Sequence, residues 1–216
     1  MRIAVDGPSG SGKSTISKAL AKKFGISYLD TGAMYRAVTA WLLAGKDYLP
    51  ENWVVNLFEV DIKIETNPEN FQIKINNLDV TDEIRTQRIT DFVSQVSAEP
   101  KVRDWMVRLQ KEIMKKSDGI VMEGRDIGTV VMPVAEVKIF IEADLEKRTA
   151  RRALELTQSS QITFESLKNR DQLDSSRAIS PLAKAPDAVL LDTTDLNITD
   201  AIDAAFKIVD QRLNND

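Results

Sequence analysis

The sequence predicts an α/β protein: a three-layer fold with a parallel five-stranded central sheet, a small antiparallel β insert and a helical lid. Three observations lead to that expectation. Short apolar runs alternate with amphipathic helical stretches over most of the chain, the pattern of stacked βα units. A glycine-rich loop separates the first apolar run from the first helix. The alternation is interrupted twice, once by period-two segments and once by an arginine-rich pair of helices.

The first run is Arg2-Ile3-Ala4-Val5-Asp6, read as a buried strand. Gly7-Pro8-Ser9-Gly10-Ser11-Gly12-Lys13-Ser14-Thr15 follows and fits G-x-x-x-x-G-K-[ST] at every fixed position. Ile16, Leu20 and Phe24 then recur at one-turn intervals, the mark of a helix. Glycines let the backbone turn its N–H groups inward around an anion, where a Cβ would intrude. The helix starting near Lys13 directs its positive dipole end to the same place. Lys13 is the expected charge for the β- and γ-phosphates and is expected in a solvated part of the loop. Ser14 is the expected hydroxyl ligand of a Mg²⁺ ion that keeps most of its waters.

Ser27–Asp30 reads as a second strand, and Thr31 as the N-cap of a helix that carries Arg36 and ends near Gly45. Residues 46–90 change character. Asp61–Glu65 and Phe71–Ile75 alternate with period two around the turn Asn67-Pro68-Glu69-Asn70, and Asn76-Asn77 leads into Leu78-Asp79-Val80. This is a three-stranded antiparallel insert with one wet face. Glu99–Lys116 is an amphipathic helix whose stripe is Val102, Trp105, Met106, Leu109, Ile113 and Met114, with Arg103 off it. The strand Gly119–Gly124 delivers Arg125 and Asp126 to its C-terminal end, where ligands sit in doubly wound sheets. After the strand Val137–Ile141 comes a basic helix with Arg148, Arg151 and Arg152, a polar break at Gln158–Gln161, and a helix over 164–177. Arg170, Asp174 and Arg177 share one face of that helix. Taken alone, they form a salt-bridge ladder on an exposed surface. Taken with the preceding basic helix, they form a lid over polyphosphate. The strand Ala188–Asp192 and the helix Asn197–Leu213 complete the chain. The expected organisation is a core of residues 1–45, 91–145 and 186–216, an insert of 46–90 and a lid of 146–185.

Composition narrows the chemistry. The 216 residues contain no cysteine and no histidine, so thiolate nucleophiles, disulfides and the commonest general base are all excluded. Phosphoryl transfer needs none of them, because it is mostly positioning and charge neutralisation. The net charge of −4 argues against a general nucleic-acid binder. No apolar run is long enough for a membrane span, and the N-terminus enters a strand directly, so a cytoplasmic enzyme is expected. A monomer is the expected state. A guanine-reading N-K-x-D and an L-S-G-G-Q signature are both missing. A kinase with a second substrate therefore fits better than a switch GTPase or an ABC-type ATPase. Another P-loop small-molecule kinase, or a regulator that binds nucleotide without catalysis, stays open at this point.

The motifs also carry a resemblance. They are Gly7–Thr15, Tyr28-Leu29-Asp30-Thr31-Gly32-Ala33-Met34-Tyr35-Arg36, Asp82-Glu83-Ile84-Arg85, Ser94-Gln95-Val96-Ser97 with Arg103, Glu123-Gly124-Arg125-Asp126-Ile127-Gly128-Thr129, and Arg170-Asp171 with Asp174 and Arg177. In this order they resemble the bacterial cytidylate kinase (CMP/dCMP kinase) family of P-loop nucleoside monophosphate kinases. The resemblance implies transfer of phosphate from ATP, bound with Mg²⁺, to CMP or dCMP. It implies ATP contacts along Gly7, Pro8, Ser9, Gly10, Ser11, Gly12, Lys13, Ser14 and Thr15. Lys13, Arg125 and Arg170 take the catalytic roles it implies, and Arg36, Arg125 and Arg170 grip phosphates. Ser94, Arg103 and Asp126 match the cytosine-reading set, and Asp174 and Arg177 match residues near the pentose, with Thr31 also on the CMP side. Asp30 and Glu123 are the carboxylates that could support Mg²⁺ through water. Thr31 stands where many members of that family have Ser, and Glu123 where some have Asp.

Overall fold

A computed structural model describes residues 1–45, 60–156 and 160–214. The first part of the expected insert (46–59) and part of the polar break at Gln158–Gln161 lie outside these residues.

Five short apolar runs form the central sheet: β1 (Arg2–Asp6), β2 (Ser27–Asp30), β6 (Ile120–Gly124), β7 (Val137–Glu142) and β8 (Val189–Asp192). Their order is β2-β6-β1-β7-β8, with every pairing parallel. A strand buried on both faces must be apolar at successive positions, and β1 and β6 are nearly so. Alternate residues feed separate cores. Ile3, Val5, Val121 and Ile139 pack with α1 (Lys13–Phe24) and α7 (Ile198–Asn214). Ala4, Ile120 and Met122 pack on the opposite side with α2 (Thr31–Ala44), α3 (Gln87–Ala98) and α4 (Pro100–Lys116). These are the three expected layers.

The insert forms its own antiparallel sheet, β3 (Ile62–Ile64), β4 (Ile73–Ile75) and β5 (Leu78–Asp79). Ile62, Ile73 and Ile75 face the α2 side of the core, and Lys63 on the other face is exposed, so the period-two reading holds. Asn76 and Asn77 take positive φ (48° and 67°) at the turn, as paired asparagines can. The Tyr28 N–H donates to the Thr66 carbonyl at 2.8 Å, which ties the insert to the edge strand β2.

Three described elements were not anticipated from the sequence, the first being a 3-10 turn at Glu83–Arg85. Helix α3 precedes the amphipathic helix α4, and a π-helical turn (Ile127–Val131) follows Arg125-Asp126. Helices α5 (Leu145–Leu156) and α6 (Ser160–Ser175) form the expected arginine-rich pair. Helix α6 ends before Arg177, so that residue lies just past it. The N-cap of α2 also differs from expectation. Asp30 caps the helix by accepting from the Ala33 N–H at 2.9 Å. Thr31 is the first helical residue, because its hydroxyl donates instead to the Glu123 carbonyl at 2.7 Å.

Candidate active site

The parallel order puts β1 beside β6, with Asp6 opposite Gly124. The loop leaving β1 and the turn leaving β6 therefore emerge side by side at the C-terminal edge of the sheet, where doubly wound folds hold ligands. Gly7 has φ 151°, and a Cβ there would lie 2.0 Å from the Ile141 carbonyl, so only glycine fits. Gly12 has φ 90° and immediately precedes α1.

Lys13 corrects an expectation. Its side chain is buried, 6% exposed, and Nζ donates to the Pro8 carbonyl at 2.6 Å, closing the loop on itself. Burial lowers its pKa, and Arg125 pushes in the same direction while Glu123 opposes. Ser14 Oγ donates to Glu123 Oε2 at 3.0 Å, and the Tyr28 hydroxyl donates to the other carboxylate oxygen. Glu123 lies on the fully buried β6; burial raises its pKa, with the Asp30 charge adding to the effect.

Facing the loop is a cavity of about 1050 Å³. Its walls bring together Ser9–Thr15, Asp30, Glu123 and the cations Arg36, Arg125 and Arg170. Like charges crowd here. Burial lowers the Arg170 pKa to about 9, and Arg36 and Arg125 add to the effect. The Arg36 value is lowered to about 10, again first by burial. Arg36 Nη1 is held by the Ile84 carbonyl at 3.2 Å and Thr90 Oγ1 at 2.9 Å. Arg170 Nε is buried with no hydrogen-bond partner among the described residues. A concave wall of crowded, partly unsatisfied guanidinium groups suits a polyanion, which relieves the repulsion and supplies the missing acceptors.

The residues matched to base and pentose lie behind this wall. Arg103 is almost fully buried and pairs with Asp126 through Nη2, while Nη1 donates to the Ser97 carbonyl at 3.1 Å. Its guanidinium sits 5.5 Å from the Tyr35 ring centre. Asp174 accepts from Arg125 Nε at 2.8 Å, from Arg177 Nη2 and, at 3.5 Å, from Ser94 Oγ. Burial works against the Asp174 charge, but Arg125, Arg177 and Arg170 overcome it and hold its pKa below the usual range. Arg125 is the reverse case: burial opposes its charge, yet Asp174 raises its pKa. These contacts join Ser94, Arg125, Asp174 and Arg177 in one buried network beside the Arg103–Asp126 pair. Thr31, Ser94, Arg103, Asp126, Asp174 and Arg177 do not line the large cavity. Pro8 faces a smaller cavity with Arg148 and Asp171.

Arg151 and Arg152, expected in the arginine-rich lid, line the large cavity, and so do residues without an expected site role: Arg85, Thr193 and the segment 196–201. The segment after β8 offered no signal, because its place in the wall follows from strand order. Ser14 and Glu123 present oxygen donors at one edge of the cavity, with Asp30 nearby, a set suited to a hard, largely hydrated cation. Among the described residues, no group of three or more His, Cys, Asp or Glu residues could hold a metal by itself.

The profile of the cytidylate kinase family matches residues 3–211. The chain belongs to the cytidylate kinase family. A cytidylate kinase of Carboxydothermus hydrogenoformans is 48% identical over 219 residues, spanning 98% of each chain. One of Streptomyces avermitilis is 46% identical over 214 residues, covering 97% of this chain and 93% of the relative. A solved shikimate kinase from Bacteroides thetaiotaomicron superposes with a TM-score of 0.51 at 11% identity, covering 99% of this chain and 98% of its own, and is similar in fold alone. Membership of the cytidylate kinase family agrees with the resemblance carried by the motifs.

Proposed function

We propose that the chain transfers the γ-phosphoryl group of ATP to the phosphate of CMP or dCMP, yielding ADP and CDP or dCDP, and does so in the cytoplasm as a monomer. One observation carries the chemistry: the phosphate loop and Arg36, Arg125 and Arg170 open into the same cavity. The loop N–H groups and Lys13 hold the donor phosphates. To reach them, Lys13 Nζ gives up the Pro8 carbonyl for a phosphate oxygen. Arg36 and Arg170 hold the acceptor phosphate, and Arg125 stands between the two as charge moves from donor to acceptor. The acceptor oxygen is already ionised, so no general base is required, in keeping with a chain that has no histidine.

Ser94, Arg103 and Asp126 are assigned to the cytosine, and Asp174 and Arg177 to the pentose. Asp126 accepts from the exocyclic amine, while Ser94 and Arg103 donate to O2 and N3. These groups now bond one another, so base and pentose must exchange places with internal partners. A base lacking the amine leaves Asp126 unmatched, which gives discrimination. Thr31 sits behind the acceptor side and fixes the Glu123 carbonyl. Ser14, Glu123 and Asp30 would hold the Mg²⁺ that accompanies ATP, and the ion would supply neutralisation of phosphate charge. Residues 46–90 are assigned to the acceptor side, and 146–185 close over both substrates.

The test is ADP release with CMP, dCMP, UMP or AMP as acceptor. Turnover with CMP and dCMP far above AMP is expected. ADP release indifferent to the acceptor overturns the proposal.

A further inference from the structure

Asp6 is the last residue of β1, immediately before Gly7 of the phosphate loop, and is 4% exposed. Its carboxylate reaches across to the turn that follows β6. Oδ1 accepts from the Ile127 N–H at 2.8 Å and Oδ2 from the Gly128 N–H at 2.7 Å. A helical turn leaves its first N–H groups without internal partners, and the residue before the turn ordinarily caps them with its own side chain. Here that residue is Asp126, and it makes no such cap. Its carboxylate is turned to Arg103 instead. Its carbonyl does enter the turn, accepting from the Val130 N–H at 2.9 Å.

Asp6 therefore caps the turn from another strand. That long-range cap leaves the Asp126 side chain available for recognition. Space at the contact is tight: a Cβ on Gly128 would lie 3.2 Å from Lys138 Cδ and 3.4 Å from Asp6 Oδ2. The approach of the carboxylate to two successive N–H groups is built in, with glycine at the second of them.

We infer that Asp6 is a positioning residue for the acceptor: by holding the Ile127 and Gly128 N–H groups it sets the direction of Arg125 and Asp126, and fixes the acceptor turn to the donor loop that starts at Gly7. This rests on the assignment of Asp126 to the cytosine and Arg125 to phosphate. Asp6 touches neither substrate; it acts through the turn. A role confined to folding changes stability and leaves the ratio of acceptor to donor affinity alone. A positioning role changes that ratio.

Two variants and one measurement on the unaltered protein test the inference. Asp6→Asn keeps one oxygen acceptor, and Asp6→Ala keeps none. The KM for CMP is expected to rise roughly tenfold in Asp6→Asn, the scale of one lost hydrogen bond, and further in Asp6→Ala. The KM for ATP is expected to change by less than about twofold, since the loop's own N–H groups still face the donor. Equal increases in both constants, or an unchanged KM for CMP in a folded variant, overturn it. In the unaltered protein, amide exchange at Ile127 and Gly128 should be as slow as at Ala4 in β1. Fast exchange at both overturns the inference even where neither variant folds. CMP phosphorylation by the unaltered protein tests the functional assignment separately. Activity there with an unchanged KM in Asp6→Asn defeats this inference alone.

Discussion

The chemistry of the site turns on residues whose charge is held under strain. Lys13 is buried beside Arg125, both pressures work against its proton, and its nearest acceptor is the Pro8 carbonyl. Phosphate oxygens offer it a better partner, so nucleotide binding and recovery of a full lysine charge go together. Lys13→Ala is expected to lower kcat by about 10²- to 10³-fold while the protein stays folded, as loss of a transition-state donor does. Near-normal turnover excludes Lys13 from the reaction. Asp126 is a different case, because its partner Arg103 is almost fully buried. Asp126→Ala strands a buried guanidinium, at a cost of about 3–5 kcal/mol of stability. Asp126→Asn is the cleaner test, since it keeps the shape and an oxygen acceptor while removing the charge. A KM for CMP raised about tenfold or more, with the KM for ATP little changed, is expected. Parallel changes in the two constants count against base reading.

At the scale of elements, the helices assigned to close over the substrates are tied to the phosphate loop through Asp171. Asp171 of α6 accepts from Arg148 Nη1 of α5 at 2.6 Å and from the Ser9 N–H of the phosphate loop at 3.4 Å. Arg148 Nη1 also donates to the Ser9 carbonyl at 3.0 Å. Asp171 thus links α5 and α6 to the phosphate loop. Asp171→Ala should loosen α6 while leaving α1 intact. Amide exchange along α6 is expected to quicken about tenfold, matching an opening free energy lower by about 1–2 kcal/mol. A larger share of ATP hydrolysis without acceptor should accompany it, as water gains entry. Unchanged exchange in α6 rejects Asp171 as a fastening of that helix. The sequence pattern made these helices legible but not their fastenings. Apolar alternation and one-turn spacing mark strands and helices because each is a local period. Helix α3 carries only Ile89, Val93 and Val96 as a buried stripe, a short apolar period squeezed between the insert and the longer stripe of α4. The cap of α2 fell to Asp30 rather than Thr31 because Glu123, distant in sequence, engages the Thr31 hydroxyl. The Asp6 bonds to Ile127 and Gly128 span 121 and 122 residues, and no local period encodes them. Residue types at the site were readable. Their internal pairings were set by strand order.

For the molecule as a whole, Asp6 and Asp174 act on stability in two separate pH windows. Burial raises the Asp6 pKa from the ordinary 3.8 to about 6, although two backbone N–H groups pull the other way. Between these values the native protein binds a proton that the unfolded chain does not, so Asp6 makes the protein more stable as pH falls from about 7 towards 4. In full, the shift corresponds to roughly 3 kcal/mol. Asp174 behaves oppositely: its pKa is lowered, so its contribution is present above the ordinary carboxylate value and is lost only as pH falls below it. The two effects therefore do not overlap. Comparing the unaltered protein with Asp6→Asn isolates the first, because the remaining acidic groups are common to both. The gap in melting temperature should move in favour of the unaltered protein by several degrees between pH 7.5 and 4.5, at about 2–4 °C per kcal/mol for a chain of this size. Loss of one hydrogen bond in the variant adds a constant offset but no slope. A gap that stays constant across that range means that Asp6 does not titrate there, and a gap that moves the other way means that its charged form is the one the fold favours.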